Sequence, residues 1–568
     1  MILGADKLRF ESLAAFLEGR RAWVTTALCL VWLLPGLLGR DPWKPAEAAI
    51  FGVVYEMVSA GNWFIPSLGG EPFLRHPPFY YWTAALFARG FEALLPLHEG
   101  ARLVNVLYVG ATFGLLAGTA RLWFDGARSV IAPLALLGCV GLVQPAHQLL
   151  PENAVLTAFA LVLFGLALSP HRLRTAAVLV GTGIGLAFLS RGIVSAATLV
   201  GSLVLLPIAA PGFRRRDFAR LCGIAFAVAL PWLLIWPLML LARAPELFAL
   251  WLWIEQLGRF WSDLPGAGHG TPGYYLAVLP WFAWPVLPFA AWAVWEGRHR
   301  MRADPALTIP TAMFVTALVV SSLAHDKREI FALPLLAPLT VLAAGIVPEL
   351  RRGAVNVFFW FGITFFLFFL AVVWFYFCAV EFGVPVRAAR HMARMEPGYV
   401  PSVSVGAIVV AALLTLAWVA SLFNVRRSQE RPFVTWAIGA TTFWSVLMLL
   451  MVAWVDHAKS YRQMIDSLVR AMPERAGCLS SLSLGESQRG LLRYFAGIVT
   501  LRVENGRRAD DCQLLLVEGT RLEGRMDAPW RLLWEGHREG DNRERYRLYR
   551  LDAAGSSTPS DATPASKE

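Results

Sequence analysis

The chain has 568 residues, of which 57% are hydrophobic and 16% charged, and its mean hydropathy is +0.54. That much apolar surface excludes a water-soluble globular protein and indicates a polytopic membrane protein. The net charge of +11 would suggest nucleic acid in a soluble chain. Here much of the Lys and Arg sits in short loops between apolar runs, where the positive-inside rule places it.

Residues 1–21 mix Leu3, Leu8, Leu13, Phe16 and Leu17 with Lys7, Arg9, Glu11, Arg20 and Arg21, which suggests a short cytoplasmic interfacial helix. The next apolar run lacks a small-x-small cleavage site and reads as a signal anchor. A spanning helix needs about 20 mostly apolar residues. About thirteen stretches qualify, near 22–39, 101–123, 129–148, 153–169, 175–190, 193–210, 218–242, 274–295, 307–323, 330–348, 354–380, 403–423 and 434–455. The stretch 79–96 is also apolar, but Arg89 and Glu92 interrupt it, so it belongs to a large first loop, 40–100, and lies along the interface.

Loop charge orients this scheme. Arg20–Arg21, Arg121 with Arg128, Arg172 with Arg174, Arg214–Arg216, Arg298–Arg302, Arg351–Arg352 and Arg426–Arg427 all fall on one side, which is therefore cytoplasmic. Loops 40–100, 149–152, 191–192, 243–273, 324–329 and 381–402 fall on the other side, with everything after Val455. The chain thus divides into 1–21, a membrane domain 22–455, a small extracytoplasmic α/β domain 456–552 and a polar tail 553–568 whose composition is that of disorder. Within the α/β domain, Leu479–Leu484, Ile498–Val503, Leu514–Val517 and Arg543–Leu551 read as strands, and Gly485–Phe495 as a helix.

Six cysteines show no metal-ligand spacing. Cys29, Cys139, Cys222 and Cys378 lie in apolar runs as small core residues. Cys478 and Cys512 each open an expected strand. Strands that start together in a parallel sheet bring such positions within disulfide reach, and the expected compartment is oxidising. A Cys478–Cys512 bond is therefore expected, the alternative being two unrelated buried thiols.

Polar groups recurring at the external ends of spans are functional candidates, because membrane interiors and their edges penalise charge. From Arg40 to Trp82 the loop holds Asp41, Lys44, Glu47, Arg75 and His76 among Trp43, Trp63, Phe64, Phe73 and Tyr80. Glu152, Arg191, Arg259, His269, Tyr274, Lys327 and Arg328 stand at further external ends. A solvated loop with interfacial aromatics, and cations snorkelling to headgroups, would explain each one alone. As a group on one face they suggest an anionic ligand site. A transporter or flippase of lipid-linked saccharide would use similar residues, but tends to place its site near the bilayer midplane and often shows repeats.

The order of features in the first loop is an acid, A-E, E-M, S-G-N-W, P, G-G, P-F and P-P-F-Y-Y-W. It resembles the first external loop of the aminoarabinose transferase and protein O-mannosyltransferase superfamily, GT-C type glycosyltransferases that use polyprenyl-phosphate sugars. Glu255 to Phe260, His269 and Pro272 to Tyr275 resemble that family's E-x-x-x-R-F … H … P-x-x-Y-Y loop, and Ser321 to Pro334 its S-x-x-x-x-K-x-x-Y-x-L-P segment. The resemblance implies a GT-C fold in the inner membrane and transfer of a sugar, with inversion, from a polyprenyl-phosphate donor such as undecaprenyl phosphate. The acceptor would be a lipid, glycan or protein of the cell envelope, on the external face.

Asp41 is then expected as the catalytic carboxylate, with Glu47 second. Lys44, Arg75, Arg191, Arg259, Lys327 and Arg328 are the expected phosphate contacts, with His76, Glu152, His269 and Tyr274 beside the substrate. The chain departs from the family at Pro42, Lys44, Arg75, His76 and Phe331, so donor identity does not carry over. Some relatives bind a metal through the acid before the loop Lys together with the loop His. Here that acid is Arg75, which leaves a His76–His269 pair as the divalent-metal candidate and no cofactor otherwise.

Overall fold

The structure, a computed structural model, describes residues 22–124, 126–262, 270–402, 404–424, 428–473, 477–520, 526, 529–538, 541 and 543–552. The expected interfacial segment 1–21, the Arg426–Arg427 pair, His269 and the tail from Ala553 lie outside the described residues.

In a bilayer the backbone must satisfy its own N–H and C=O groups, so long apolar runs become helices. Eight described helices are long and apolar enough to cross a membrane, or ten if each of two bent pairs is one span. The bent pairs are Arg128–Leu137 with Val140–His147, at 72°, and Tyr274–Phe282 with Val286–Gly297, at 106°. Pro285 lies at the second bend and offers no N–H to continue a helix. Three shorter apolar helices, Ala22–Leu33, Glu152–Leu168 and Ile193–Ala209, cover the remaining expected stretches. Helix therefore occupies all thirteen, while eight to ten crossings, rather than thirteen, follow from length and composition. The bends and the short helices make the difference.

The loop between the first two expected spans is built rather than slack. Helix Ala46–Ala60 is buried on all faces from Glu47 to Val54 and stops at Gly61, whose φ of 72° is left-handed. Strands β1 (Ser67–Leu68) and β2 (Glu71–Pro72) form a small antiparallel hairpin. Helix Phe79–Phe91 has 13 residues, too few to span.

Glu47 sets the position of the loop helix. Its carboxylate is fully buried and accepts from Arg40 (Nη1–Oε2 2.6 Å), from Arg102 (Nε–Oε1 2.7 Å) and from the Trp43 amide (3.0 Å). Arg40 also donates to the carbonyls of Gly36 and His147, and Arg102 to those of Leu37 and Arg40.

The C-terminal region forms a five-stranded sheet in the order β4-β3-β5-β7-β6. The strands are β3 (Leu479–Leu482), β4 (Thr500–Arg502), β5 (Leu514–Thr520), β6 (Trp530–Gly536) and β7 (Glu544–Leu551). β3 pairs in parallel with β4 and β5, and β7 antiparallel with β5 and β6. Helix Glu486–Ala496 follows β3, as expected. β6 is the strand the sequence does not announce: a register shift between Leu532 and Trp534 breaks its period-two pattern. Cys478 and Cys512 are bonded across the edge where β3 and β5 begin, with Cα atoms 5.3 Å apart.

Helix Glu486–Ala496 lies directly on helix Ala46–Ala60. A Cβ on Gly52 would come within 2.8 Å of the Gly490 Cα, so two glycines let the backbones touch. Ion pairs flank the contact, with Arg489 and Arg502 reaching Glu71 at 3.0 and 3.3 Å.

Burial pushes the Glu47 carboxyl up, but Arg40 and Arg102 outweigh it and hold it at about 2, below the ordinary 4.5. A folded value below the unfolded one means that this contribution is complete above about pH 4.5 and is lost as pH falls toward 2. Glu47→Gln leaves two buried guanidiniums uncompensated and should destabilise by about 3–5 kcal/mol, with weaker acid sensitivity in that window. Thermal melting of the purified protein across the acid range reads both effects, and an unchanged melting point would refute the role. For the tail, a non-reduced digest of protein taken from its native membrane should yield one linked peptide pair holding Cys478 and Cys512; two free thiols would contradict the bond.

Candidate active site

Residues from both ends of the sequence enclose a cavity of about 720 Å³. Its walls come from the first loop (Lys44–Ala46, Ala49, Ile50, Phe73, Arg75 and His76), the helix start at Glu152, the Arg191 turn, Glu255, Gln256, Arg259 and Phe260, and Asp326, Arg328, Ile330 and Phe331. The tail completes it with Tyr461, Gly485–Gln488 and Glu544. The loops assigned to the external side by charge alone thus meet at one end. At another place Arg128, Arg300, Asp304 and Glu349, from the Arg-rich loops, line a smaller cavity of about 170 Å³.

Local backbone explains how the cations are presented. Arg191 ends helix Leu173–Arg191, and Gly192 after it has a φ of 106°. A Cβ there would fall 1.8 Å from the Gln256 Oε1, which accepts from the Ile193 amide at 2.9 Å. Leu250–Gly258 is a π-helical segment, a form common at functional sites, and it carries Glu255 and Gln256 into the wall just before Arg259.

Among the described residues, five cations and five carboxylates line the cavity, and they are matched. Arg75 forms a bidentate pair with Glu486 of the tail helix (2.8 and 2.7 Å). Lys44 bridges Asp541 and Glu544 of the tail. Arg259 pairs with Glu255 at 2.6 Å and Arg328 with Asp326 at 3.1 Å. Arg191 lies 3.5 Å from Glu152 and 3.5 Å over the Phe331 ring. Charge matching orients these guanidiniums before any ligand arrives.

His76 stands among them. Burial first, then Arg75, Arg191, Arg328 and Arg259, push its pKa well below the ordinary histidine value, so the ring is neutral. Its Nδ1, the Arg75 Nε and an Arg259 Nη1 are out of solvent and have no protein hydrogen-bond partner among the described residues. Unpaired polar atoms converging on one buried place are costly unless a ligand meets them. Four guanidiniums and a neutral imidazole suit an anion with several oxygens, such as a phosphate.

The two expected catalytic acids are placed elsewhere. Asp41 is 7% exposed and is not in the cavity wall. It accepts from Ser460 (2.7 Å) and, in bidentate fashion, from Arg462. Burial raises its carboxyl, yet these partners hold it below its ordinary value. Asp41 thereby ties the loop to the start of the tail, while Glu47 holds the loop helix. Neither faces the cavity, and the reason is partners more than 400 positions away for Asp41 and two buried arginines for Glu47. Of the remaining expected residues, Lys44, Arg75, His76, Glu152, Arg191, Arg259 and Arg328 come together in the wall, whereas Tyr274 and Lys327 lie outside it. Tyr275, which donates to the Arg328 carbonyl at 3.2 Å, lines the wall where Tyr274 was expected. Among the described residues no cluster of three or more His, Cys, Asp or Glu could hold a metal ion, and His269 of the expected metal pair lies outside them. Sequence reasoning missed Asp326, Tyr461, Glu486, Gln488 and Glu544; the last four carry no local signal, because only the docking of the tail brings them in.

No protein-family model matches the chain. It is 29% identical over 332 residues to the undecaprenyl phosphate-alpha-4-amino-4-deoxy-L-arabinose arabinosyl transferase of Serratia proteamaculans, covering 56% of this chain and 58% of that protein. The protein of the same name from Pseudomonas savastanoi pv. phaseolicola is 27% identical over 481 residues, covering 81% and 83%. The match thus spans less than two thirds of the Serratia relative and most of the Pseudomonas one. Among solved structures, ArnT from Cupriavidus metallidurans, crystallised bound to undecaprenyl phosphate, superposes with a TM-score of 0.68 at 17% identity over 93% of this chain and 98% of that one. The archaeal oligosaccharyltransferase AglB from Archaeoglobus fulgidus, solved with an inhibitory peptide and a dolichol-phosphate, follows at 0.52 and 10% identity, over 89% and 70%. The chain has the ArnT-like GT-C fold and is a multi-pass membrane protein, as the sequence led one to expect.

Proposed function

We propose that this chain is a polyprenyl-phosphate-sugar-dependent glycosyltransferase that takes its donor on undecaprenyl phosphate and transfers the sugar to a lipid, glycan or protein acceptor. The observation that carries the reading is the convergence of Arg75, Arg191, Arg259 and Arg328 on a neutral His76, in a fold shared with a protein solved on undecaprenyl phosphate.

Chemistry at such a site needs little from the protein beyond position and charge. The donor already carries its leaving group, the lipid phosphate. An acceptor oxygen attacks the anomeric carbon from the face opposite that phosphate. The bond from carbon to phosphate oxygen breaks, its electron pair stays on the phosphate, and the configuration inverts. Guanidiniums aimed at the phosphate stabilise the charge that builds there. A hydroxyl acceptor also needs a carboxylate to orient it and take its proton.

That role, expected first at Asp41 and then at Glu47, we assign instead to Glu152. It lies in the cavity wall, 4% exposed, beside Arg191. Its partner reaches it at 3.5 Å, a looser hold than the 2.6 Å between Arg259 and Glu255, so its oxygens are the more available to an acceptor. Lys44, Arg75, Arg191, Arg259 and Arg328 hold the phosphate, with His76 as a neutral partner.

Loop charge puts the cavity and the domain 456–552 outside the cytoplasm. Reporter fusions after Arg300 and after Lys459 should report opposite sides; the same side for both would defeat this orientation.

Purified protein given synthetic undecaprenyl-phosphate sugars should release or transfer sugar. Glu152→Gln should lower turnover by about a hundredfold or more while donor binding persists. Asp41→Asn should instead retain measurable turnover and speed amide exchange in helix Arg462–Ala471. Loss of turnover in Asp41→Asn with unchanged exchange would return the catalytic role to Asp41, and inactivity of the native protein on every such donor would remove the glycosyltransferase reading.

A further inference from the structure

Between helices Arg352–Glu381 and Val405–Asn424 lies a short helix, Val386–Met395, with the sequence VRAARHMARM. Arg387, Arg390 and Arg394 recur at intervals of three and four, so they share one face, and all three are exposed. Among the described residues no carboxylate stands within ion-pair distance of any of them. The opposite face buries Met392, and the buried Glu396 follows it. Glu396 meets the His457 Nδ1 at 3.5 Å, and Tyr399 donates to Glu381 at 3.2 Å. The helix is thereby fastened to the ends of helices Arg352–Glu381 and Arg431–Lys459.

At the start of the helix and in the chain on either side of it, apolar side chains are uncovered. Phe382, Val384, Val386 and Val400 are each more than 60% exposed. A merely solvated face accounts for the arginines but not for that apolar rim. A merely apolar anchor accounts for the rim but not for three guanidiniums without partners. Both belong together where water, phosphate and acyl chain meet: apolar side chains enter the acyl boundary, while guanidiniums reach the phosphate level.

Its place in the fold sets which end of the protein this is. His457 lies two residues before Lys459, whose Nζ sits 4.9 Å over the Trp43 ring beside the first loop. The helix is therefore at the cavity end. In the proposed orientation, that is the face where the positive-inside rule leaves arginine scarce.

We propose that helix Val386–Met395 is a binding site for anionic phospholipid headgroups, with Arg387, Arg390 and Arg394 meeting their phosphates in the leaflet beside the cavity. Each arginine near a membrane surface strengthens attraction to anionic lipid severalfold, so three act together strongly.

The test uses the full chain in nanodiscs of mixed phosphatidylglycerol and phosphatidylcholine, with native mass spectrometry of the lipids it retains. The native protein should keep phosphatidylglycerol in excess, and the triple variant Arg387→Gln, Arg390→Gln, Arg394→Gln should lose that preference by about tenfold or more. Because the three side chains are exposed and unpaired, the melting point should not move, so misfolding would be visible separately. Amide exchange of Val386–Met395 should slow in phosphatidylglycerol discs relative to phosphatidylcholine discs, which places the effect on this helix. An equal preference in both proteins, no preference in either, or an equal loss of both lipids from the variant would overturn the proposal. If the fusions reverse the orientation while the preference persists, the site stands and only its leaflet changes.

Discussion

A single carboxylate out of reach of water, shared by two arginines that are themselves buried, is the constraint on which this structure turns. Taking three charged groups from water is expensive, and the arrangement persists only if every hydrogen-bonding direction is met. Glu47, Arg40 and Arg102 meet it by recruiting backbone. The carbonyls of Gly36 and Leu37 in the turn after the first helix, of Arg40 itself and of His147 in a bent pair all accept from the two guanidiniums. Three segments distant in sequence, 36–47, Arg102 and His147, are thereby referred to one point. A loop that could have hung free between two helices becomes as fixed as the helices.

The cavity is a consequence of that fixing. With its first turn held by Glu47, the loop helix turns Ala46, Ala49 and Ile50 to the cavity and offers Gly52 to the tail helix. The tail then closes over it and places Glu486 and Glu544 opposite Arg75 and Lys44. Pairing each cation with an acid neutralises the wall and orients the guanidiniums, so that little rearrangement remains to be made when an anion enters. His76 adds a polar contact without another charge, since burial and then the surrounding arginines keep it unprotonated.

Much of this was legible in the sequence because the signals are one-dimensional. A run of apolar residues must be helix in lipid, whatever it packs against, and all thirteen such runs are helical. Loop charge sorted the chain into two ends, and Glu152, Arg191, Arg259 and Arg328, scattered over nearly 180 positions, do converge. Roles were harder to read than membership. Asp41 looked catalytic as an acid in the right loop, but Ser460 and Arg462 claim its oxygens, and they lie 419 and 421 positions further on. Nothing near Gly485 announces that the following residues face a membrane-domain cavity, since Glu486 acquires its meaning from Arg75. Tyr275 and Tyr274 exchange places for a simpler reason: adjacent helical residues point about 100° apart, and a motif match cannot choose between them.

The contact between the two glycine-bearing helices sets a schedule for making the protein. Ser487 at the start of the tail helix bonds the Pro45 carbonyl at the start of the loop helix, across 442 positions of chain. At about 5–20 residues per second, the ribosome reaches the second roughly 20 to 90 seconds after the first. Throughout that interval the surface of helix Ala46–Ala60 that includes the bare backbone at Gly52 waits without its cover. That surface stays unmatched for tens of seconds to over a minute, a demand on the making of the chain and not on the finished protein.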